Sequence, residues 1–152
     1  MNERTPIEIV HNPARTEARI DALTAVWEAS VGATHDFLTP NDIESLRPFV
    51  KESLWAVRDL LVACAGGTPV AFLGMQRHKI EMLFFHPSRI GTGLGGLLIT
   101  QAIHTYHACY VDVNEQNPKA VAFYRHYGFC VIERTAFDEQ GNRFPILKMK
   151  RT

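Results

Sequence analysis

Residues 89–98 read RIGTGLGGLL, with Gly91, Gly93, Gly95 and Gly96 filling four of six consecutive positions. A phosphate held by main-chain N–H groups needs a backbone that approaches it closely, and glycine removes the Cβ that would stand between them. Two spacings fit. G-x-G-x-x-G over Gly91, Gly93 and Gly96 has the form of a dinucleotide-binding turn, and Asp112 follows about 20 residues on, where a ribose-binding acid belongs. G-x-G over Gly93 and Gly95, after the basic loop HPSRI, is a pyrophosphate cradle of another kind.

Two carboxylates offer acid–base chemistry. In YVDVN, Val111 and Val113 share one face of a strand, so Asp112 takes the other. Glu81 stands on the neighbouring strand KIEMLFF with the same reach into a cleft between them. Either could serve as a general base, directly or through water, and either could be a carboxylate on a solvated sheet face. His35 and Asp36 follow the first helix, where such a pair either touches a substrate or caps the chain. His104 and His107 share a helix face without an apparent third metal ligand. No serine occupies a nucleophile elbow, so a hydrolase triad has no support.

The elements that must carry these groups follow from periodicity. Ile7 to Val10 alternates as a strand, and Ile20, Leu23, Trp27 and Val31 recur at helical spacing within residues 15–33. Thr39 and Pro40 open a second helix, which Pro48 should interrupt or kink. DLLVACAGGTPVAFLGMQ reads as a hairpin about Gly66-Gly67-Thr68, and KIEMLFF as a further strand ending at HPSR. Leu94 to about Tyr106 is a helix with Leu94, Leu97, Leu98 and Ala102 on its apolar face. CYVDV is a strand, and Asn117-Pro118 starts a helix that Gly128 stops. FCVIERTAF and FPILKMK close the chain as a hairpin around DEQGN. The order β-α-α-β-β-β-α-β-α-β-β predicts a mixed α/β (α+β) fold. Its sheet is mostly antiparallel and twisted, with one parallel βαβ unit and about four flanking helices.

Composition sets the bounds. The chain has 152 residues, 46% hydrophobic and 21% charged, with formal net charge +0. That suits one domain over residues 1–152 and argues against bulk electrostatic capture of nucleic acid or an anionic membrane. The start MNERTPIEIV lacks the apolar stretch of a signal peptide, and no later segment is apolar for long enough to span a bilayer. Cys64, Cys109 and Cys130 are unpaired by spacing and read as small buried hydrophobes of a reducing cytoplasm.

The dinucleotide spacing fails on context. HPSRI separates Phe85 from Gly91, and the glycines fall past the middle of the chain, leaving one βαβ unit and a hairpin. The stretches IEMLFFHPSRIGTGLGGLL and VDVNEQNPKAVAFYRHYGF together resemble the GNAT superfamily of acetyl-CoA-dependent N-acetyltransferases, and the element order fits that fold over nearly the whole chain. GATHDFL beside VNEQNPKAVAFY further resembles a small bacterial subgroup.

The resemblance implies a site. Backbone from Arg89, Ile90, Gly91, Thr92, Gly93, Leu94, Gly95 and Gly96 would take the pyrophosphate of coenzyme A at a helix N-terminus. Exposed backbone at Leu83, Phe84 and Phe85 would pair with the pantetheine amides as an added strand does. Asn117 would touch the cofactor or only cap its helix. Tyr124 would protonate the departing thiolate, a task suited to a phenol that keeps its proton at neutral pH. Tyr127 reads as structural, and Asp112 or Glu81 would take the amine's proton. One position departs from the pattern: Ile90 stands where the family has Arg or Gln, and Arg89, one place earlier, replaces it only if the loop turns it inward.

The expected function is acetyl transfer from acetyl-CoA to a small-molecule or peptide amine by direct attack, with no metal. Neither nucleic acid nor membrane is an expected partner, and the expected assembly is a monomer or homodimer. A non-catalytic acyl-CoA-binding module of the same fold and a dinucleotide-binding oxidoreductase are the alternatives.

Overall fold

A computed structural model describes residues 6–152; the opening MNERT, part of the stretch read for a signal peptide, lies outside the described residues. Seven strands and four helices follow the expected order: β1 (Ile7–His11), α1 (Glu17–Thr34), α2 (Pro40–Ala56), β2 (Asp59–Ala65), β3 (Thr68–Gln76), β4 (Lys79–Phe85), α3 (Leu94–Tyr106), β5 (Tyr110–Asn114), α4 (Pro118–His126), β6 (Phe129–Thr135) and β7 (Ile146–Arg151). A single 3-10 turn, Pro87–Arg89, lies between β4 and α3.

The strands form one sheet in the order β1-β2-β3-β4-β5-β7-β6, antiparallel except where β4 meets β5. Side chains alternate across it. Leu61 and Leu73 join Leu98, Ile99 and Phe129 beneath α3 and α4, whereas Leu60 and Phe72 join Leu23, Trp27 and Leu54 beneath α1 and α2. Burial on both faces explains the nearly unbroken apolar runs of β2 and β3. Each fully buried Leu or Phe contributes about 1.5–3 kcal/mol relative to exposure.

The parallel contact is brief. Only Lys79 with Tyr110 and Ile80 with Val111 pair, and beyond them the strands diverge. The register of β4 against β3 slips at the same place: Gly74 faces Met82 and Met75 faces Ile80, so Glu81 is an unpaired bulge. Past the bulge, β4 is paired through Phe85 on its β3 side and open on the other.

Four sequence expectations need correction. Pro48 does not interrupt α2, which runs through it to Ala56. The missing N–H leaves the carbonyl of Glu44 without its helical donor, but Glu44 is exposed and water can serve it. Leu97 is exposed at 42%, and Ile99 takes its place in the core because α3 is turned further toward the sheet. The cysteines are not core residues: Cys130 is exposed on β6, and Cys64 and Cys109 are half-buried. His107 leaves the helix altogether, ending α3 in a left-handed conformation (φ 59°) that takes it off the face of His104.

Candidate active site

Three elements converge where β4 and β5 part. α3 starts at Leu94 with Gly93 as its N-cap, and no side chain caps it, so its first amide N–H groups remain available to an anion. Gly91 and Gly93 have positive φ (78° and 82°), with open space where a Cβ would stand. Gly95 and Gly96 are glycine for a different reason. A Cβ on Gly95 would press on the Phe123 ring at 3.3 Å, and one on Gly96 would collide with the Tyr127 hydroxyl. The four glycines thus divide between shaping a turn and letting α4 pack against α3. Tyr127 takes the structural place expected of it, 5.1 Å from the Phe123 ring centroid.

Arg89 is turned inward. It is only 6% exposed, and its guanidinium has no hydrogen bond or ion pair among the described residues. Ile90 is 53% exposed, and the Thr92 hydroxyl donates to the Arg89 carbonyl (2.6 Å). An uncapped helix N-terminus and two open left-handed turns make a donor set that fits a pyrophosphate, with the side chain of Arg89 buried at the turn before them.

Two cavities meet beside it. The first, about 250 Å³, is lined by Trp27, Phe37, Glu81, Asp112 and Phe144 among others. The second, about 260 Å³, runs toward Phe85, Ile90, Lys119 and Phe123. His35, Leu83, Phe84, Asn117, Ala120 and Tyr124 belong to both.

Tyr124 is buried at 7% exposure, its ring set edge-on to Phe123 and Phe129 (5.2 and 5.7 Å). Its hydroxyl makes no hydrogen bond to a described residue, and burial pushes its pKa well above the usual phenol value. Asn117 does two things: its Oδ1 accepts from the Ala120 N–H (3.2 Å) to cap α4, and its Nδ2 faces His35 Nε2 at 3.3 Å.

The carboxylates differ. Asp112 lies opposite buried Val111 and Val113, as alternation predicts, and accepts a 2.8 Å hydrogen bond from Lys79. Glu81, on the bulge, is unpaired by strand hydrogen bonds; desolvation raises its pKa, and Lys79 opposes that rise. His35, the C-cap of α1, enters the site, whereas Asp36 is exposed and lines neither cavity. Burial lowers the His35 pKa, with Asp36 opposing.

Sequence reasoning missed the loop between β6 and β7. Asp138 and Phe144 line the first cavity from it, and the Phe144 ring stands 6.1 Å from that of Phe37. DEQGN announces a turn but nothing about where its flanks fold. The bulge at Glu81 was equally silent; its trace is Gly74 opposite, where a Cβ would meet the Met82 methyl at 2.7 Å.

A family model described as an acetyltransferase (GNAT) domain matches residues 39–152. Two proteins named peptidyl-lysine N-acetyltransferase YjaB, from Salmonella typhimurium strain LT2 and Escherichia coli strain K12, are each 33% identical over 129 residues, 85% of this chain and 89% and 88% of theirs. The solution structure of apo-form YjaB from Escherichia coli superposes with a TM-score of 0.84 at 32% identity, covering 97% of this chain and 98% of that one. A PaiA N-acetyltransferase from Thermoplasma acidophilum, solved in complex with coenzyme A, shares the fold with a TM-score of 0.71 at 21% identity, covering 97% and 99%.

Proposed function

The chain belongs to the GNAT acetyltransferases and transfers an acetyl group to an amine, with acetyl-CoA as co-substrate, and from that premise we propose how its residues divide the work. Neither the dinucleotide reading nor the non-catalytic one is favoured. Residues 1–152 act as one domain.

The N–H groups from Gly91 to Gly96 and the inward-turned Arg89 hold the pyrophosphate. Arg89 so replaces the side chain that Ile90 lacks. The open edge of β4 from Leu83 to Phe85 supplies main-chain partners for the pantetheine amides. Tyr124, whose hydroxyl has no partner among the described residues, protonates the departing thiolate. Glu81 and Asp112 give the first cavity a negative rim that draws in a cationic amine.

The acceptor is a lysine side chain of a peptide or protein. The YjaB relatives are named for that substrate, and a cavity with carboxylates and aromatic walls suits an alkyl chain ending in an amine. Three free cysteines fit the reducing cytoplasm of a bacterial cell, and no helix among the described residues is long and apolar enough to cross a membrane. The observation that carries the reading is the divergence of β4 and β5 at one sheet, with the uncapped start of α3 and Tyr124 on its two sides. A panel of lysine peptides and small amines, followed by thiol release from acetyl-CoA, tests it. Release with lysine peptides above small amines is expected; preference for a small amine would move the acceptor class.

A further inference from the structure

Resting on the acetyltransferase reading, we propose that His35 is the general base, with Nε2 receiving the proton of the attacking amine. Its tautomer follows from its neighbours. Asn117 Oδ1 is occupied by the Ala120 N–H, so the group facing His35 Nε2 is the Nδ2 amide, a donor. Nε2 is therefore the accepting nitrogen. On the other side, the Thr34 hydroxyl donates to the Ser30 carbonyl at 2.7 Å, which leaves its oxygen to accept from His35 Nδ1, also at 2.7 Å. The imidazole is held neutral, its proton on Nδ1 and its lone pair on Nε2.

The placement matches the need. His35 lines both cavities, at the junction where an amine from one meets a thioester from the other. The rings of Phe37 and Phe84 stand 5.3 and 6.3 Å from the imidazole and flank it. Burial lowers its pKa, so the base is unprotonated at neutral pH. Asp112 is committed to Lys79. The 3.3 Å contact to Asn117 is long, so an incoming amine can displace it.

In the reaction a nitrogen–carbon bond forms as the carbon–sulfur bond breaks. The cationic amine first loses a proton to solvent; the neutral amine then gives one proton to His35 Nε2, and the thiolate takes one from Tyr124. The imidazolium then returns its proton to the phenolate through water, leaving an amide and a thiol. The charged and titratable groups around His35 are Asp36 on its own loop, Lys119 and Tyr124 of α4, Glu81 of β4, Asp112 of β5 and Asp138 of the loop before β7.

The test is the pH–rate profile of the full-length protein with acetyl-CoA and its best amine. His35→Gln keeps a polar side chain but takes no proton. Its kcat should fall about 10²-fold or more, with the acid limb lost and the acetyl-CoA dissociation constant unchanged. His35→Ala should recover turnover with added imidazole. Nitrogen-15 spectra of the wild-type imidazole should show Nδ1–H at pH 7. An Nε2–H tautomer overturns the assignment. So does wild-type turnover in His35→Gln with its acid limb intact, which leaves the acetyltransferase reading standing. Wild-type protein that acetylates no amine overturns both.

Discussion

Tyr124 offers the sharpest separation of binding from chemistry. Phenylalanine keeps the ring against Phe123 and Phe129 and removes one hydroxyl with no partner among the described residues. Acetyl-CoA affinity and fold should be nearly unchanged, while kcat falls about 10²-fold, toward the lower end for a general acid because a thiolate leaves readily. Stopped-flow binding and steady-state kinetics on Tyr124→Phe read both; weaker binding with intact kcat would confine Tyr124 to the cofactor pocket. Arg89 makes the complementary case. Arg89→Ala should raise the acetyl-CoA dissociation constant without lowering kcat at saturation, and unchanged affinity would mean its charge serves the protein alone. Chemistry-bearing types were legible here, since Tyr124, Asp112, Glu81 and Asn117 all line the cleft. His35 was legible as a substrate contact, but not as the base proposed above. What makes its tautomer definite is a contact to Asn117, 82 residues away, and no local pattern encodes that.

At the level of elements, the α3–α4 contact sets the width of the site. Gly96→Ala would put a methyl where the Tyr127 hydroxyl stands and force that ring out of its packing against Phe123, costing about 1–3 kcal/mol. Gly93→Val meets open space but demands a left-handed β-branched residue, so acetyl-CoA binding should weaken while much of the fold survives. Thermal melts beside binding titrations separate the two: the first variant should lose stability and the second chiefly affinity. Element types and order were readable because caps and turns mark them, as the Thr39–Asp42 capping box of α2 and the Gly66-Gly67 turn show. The bulge at Glu81 and the inward fold of Phe144 were not, because both are settled by packing between strands and loops distant in the chain.

For the molecule as a whole, ligand binding is folding free energy. Acetyl-CoA at 100 times its dissociation constant should stabilise the protein by about 2.7 kcal/mol. For a chain of this length that is a rise in Tm of roughly 5–10 °C. NAD at the same concentration should give no shift, and calorimetry with each ligand decides. Acid should act in the opposite sense through His35. Its folded pKa lies below the unfolded 6.5, so the unfolded chain takes up a proton first. That share of stability is complete above pH 6.5 and is lost as pH falls from there toward the folded value. His35→Gln should flatten this part of the stability–pH curve, as denaturant titrations at stepped pH would show.

The sheet is also joined across its middle by only two residue pairs. In main-chain pairing, strands β1 to β4 and the trio β5, β7, β6 are two units sharing a narrow seam, while the core beneath α3 and α4 runs under both. The His86 N–H donates to Val70 on β3, so alternation points the Leu83 and Phe85 amides into the gap. In deuterated water these two should exchange quickly in the free protein, while the Phe84 amide, turned toward β3, stays protected. Bound acetyl-CoA should slow Leu83 and Phe85 and raise the protection of β5 and β7 with them, stitching the two units into one.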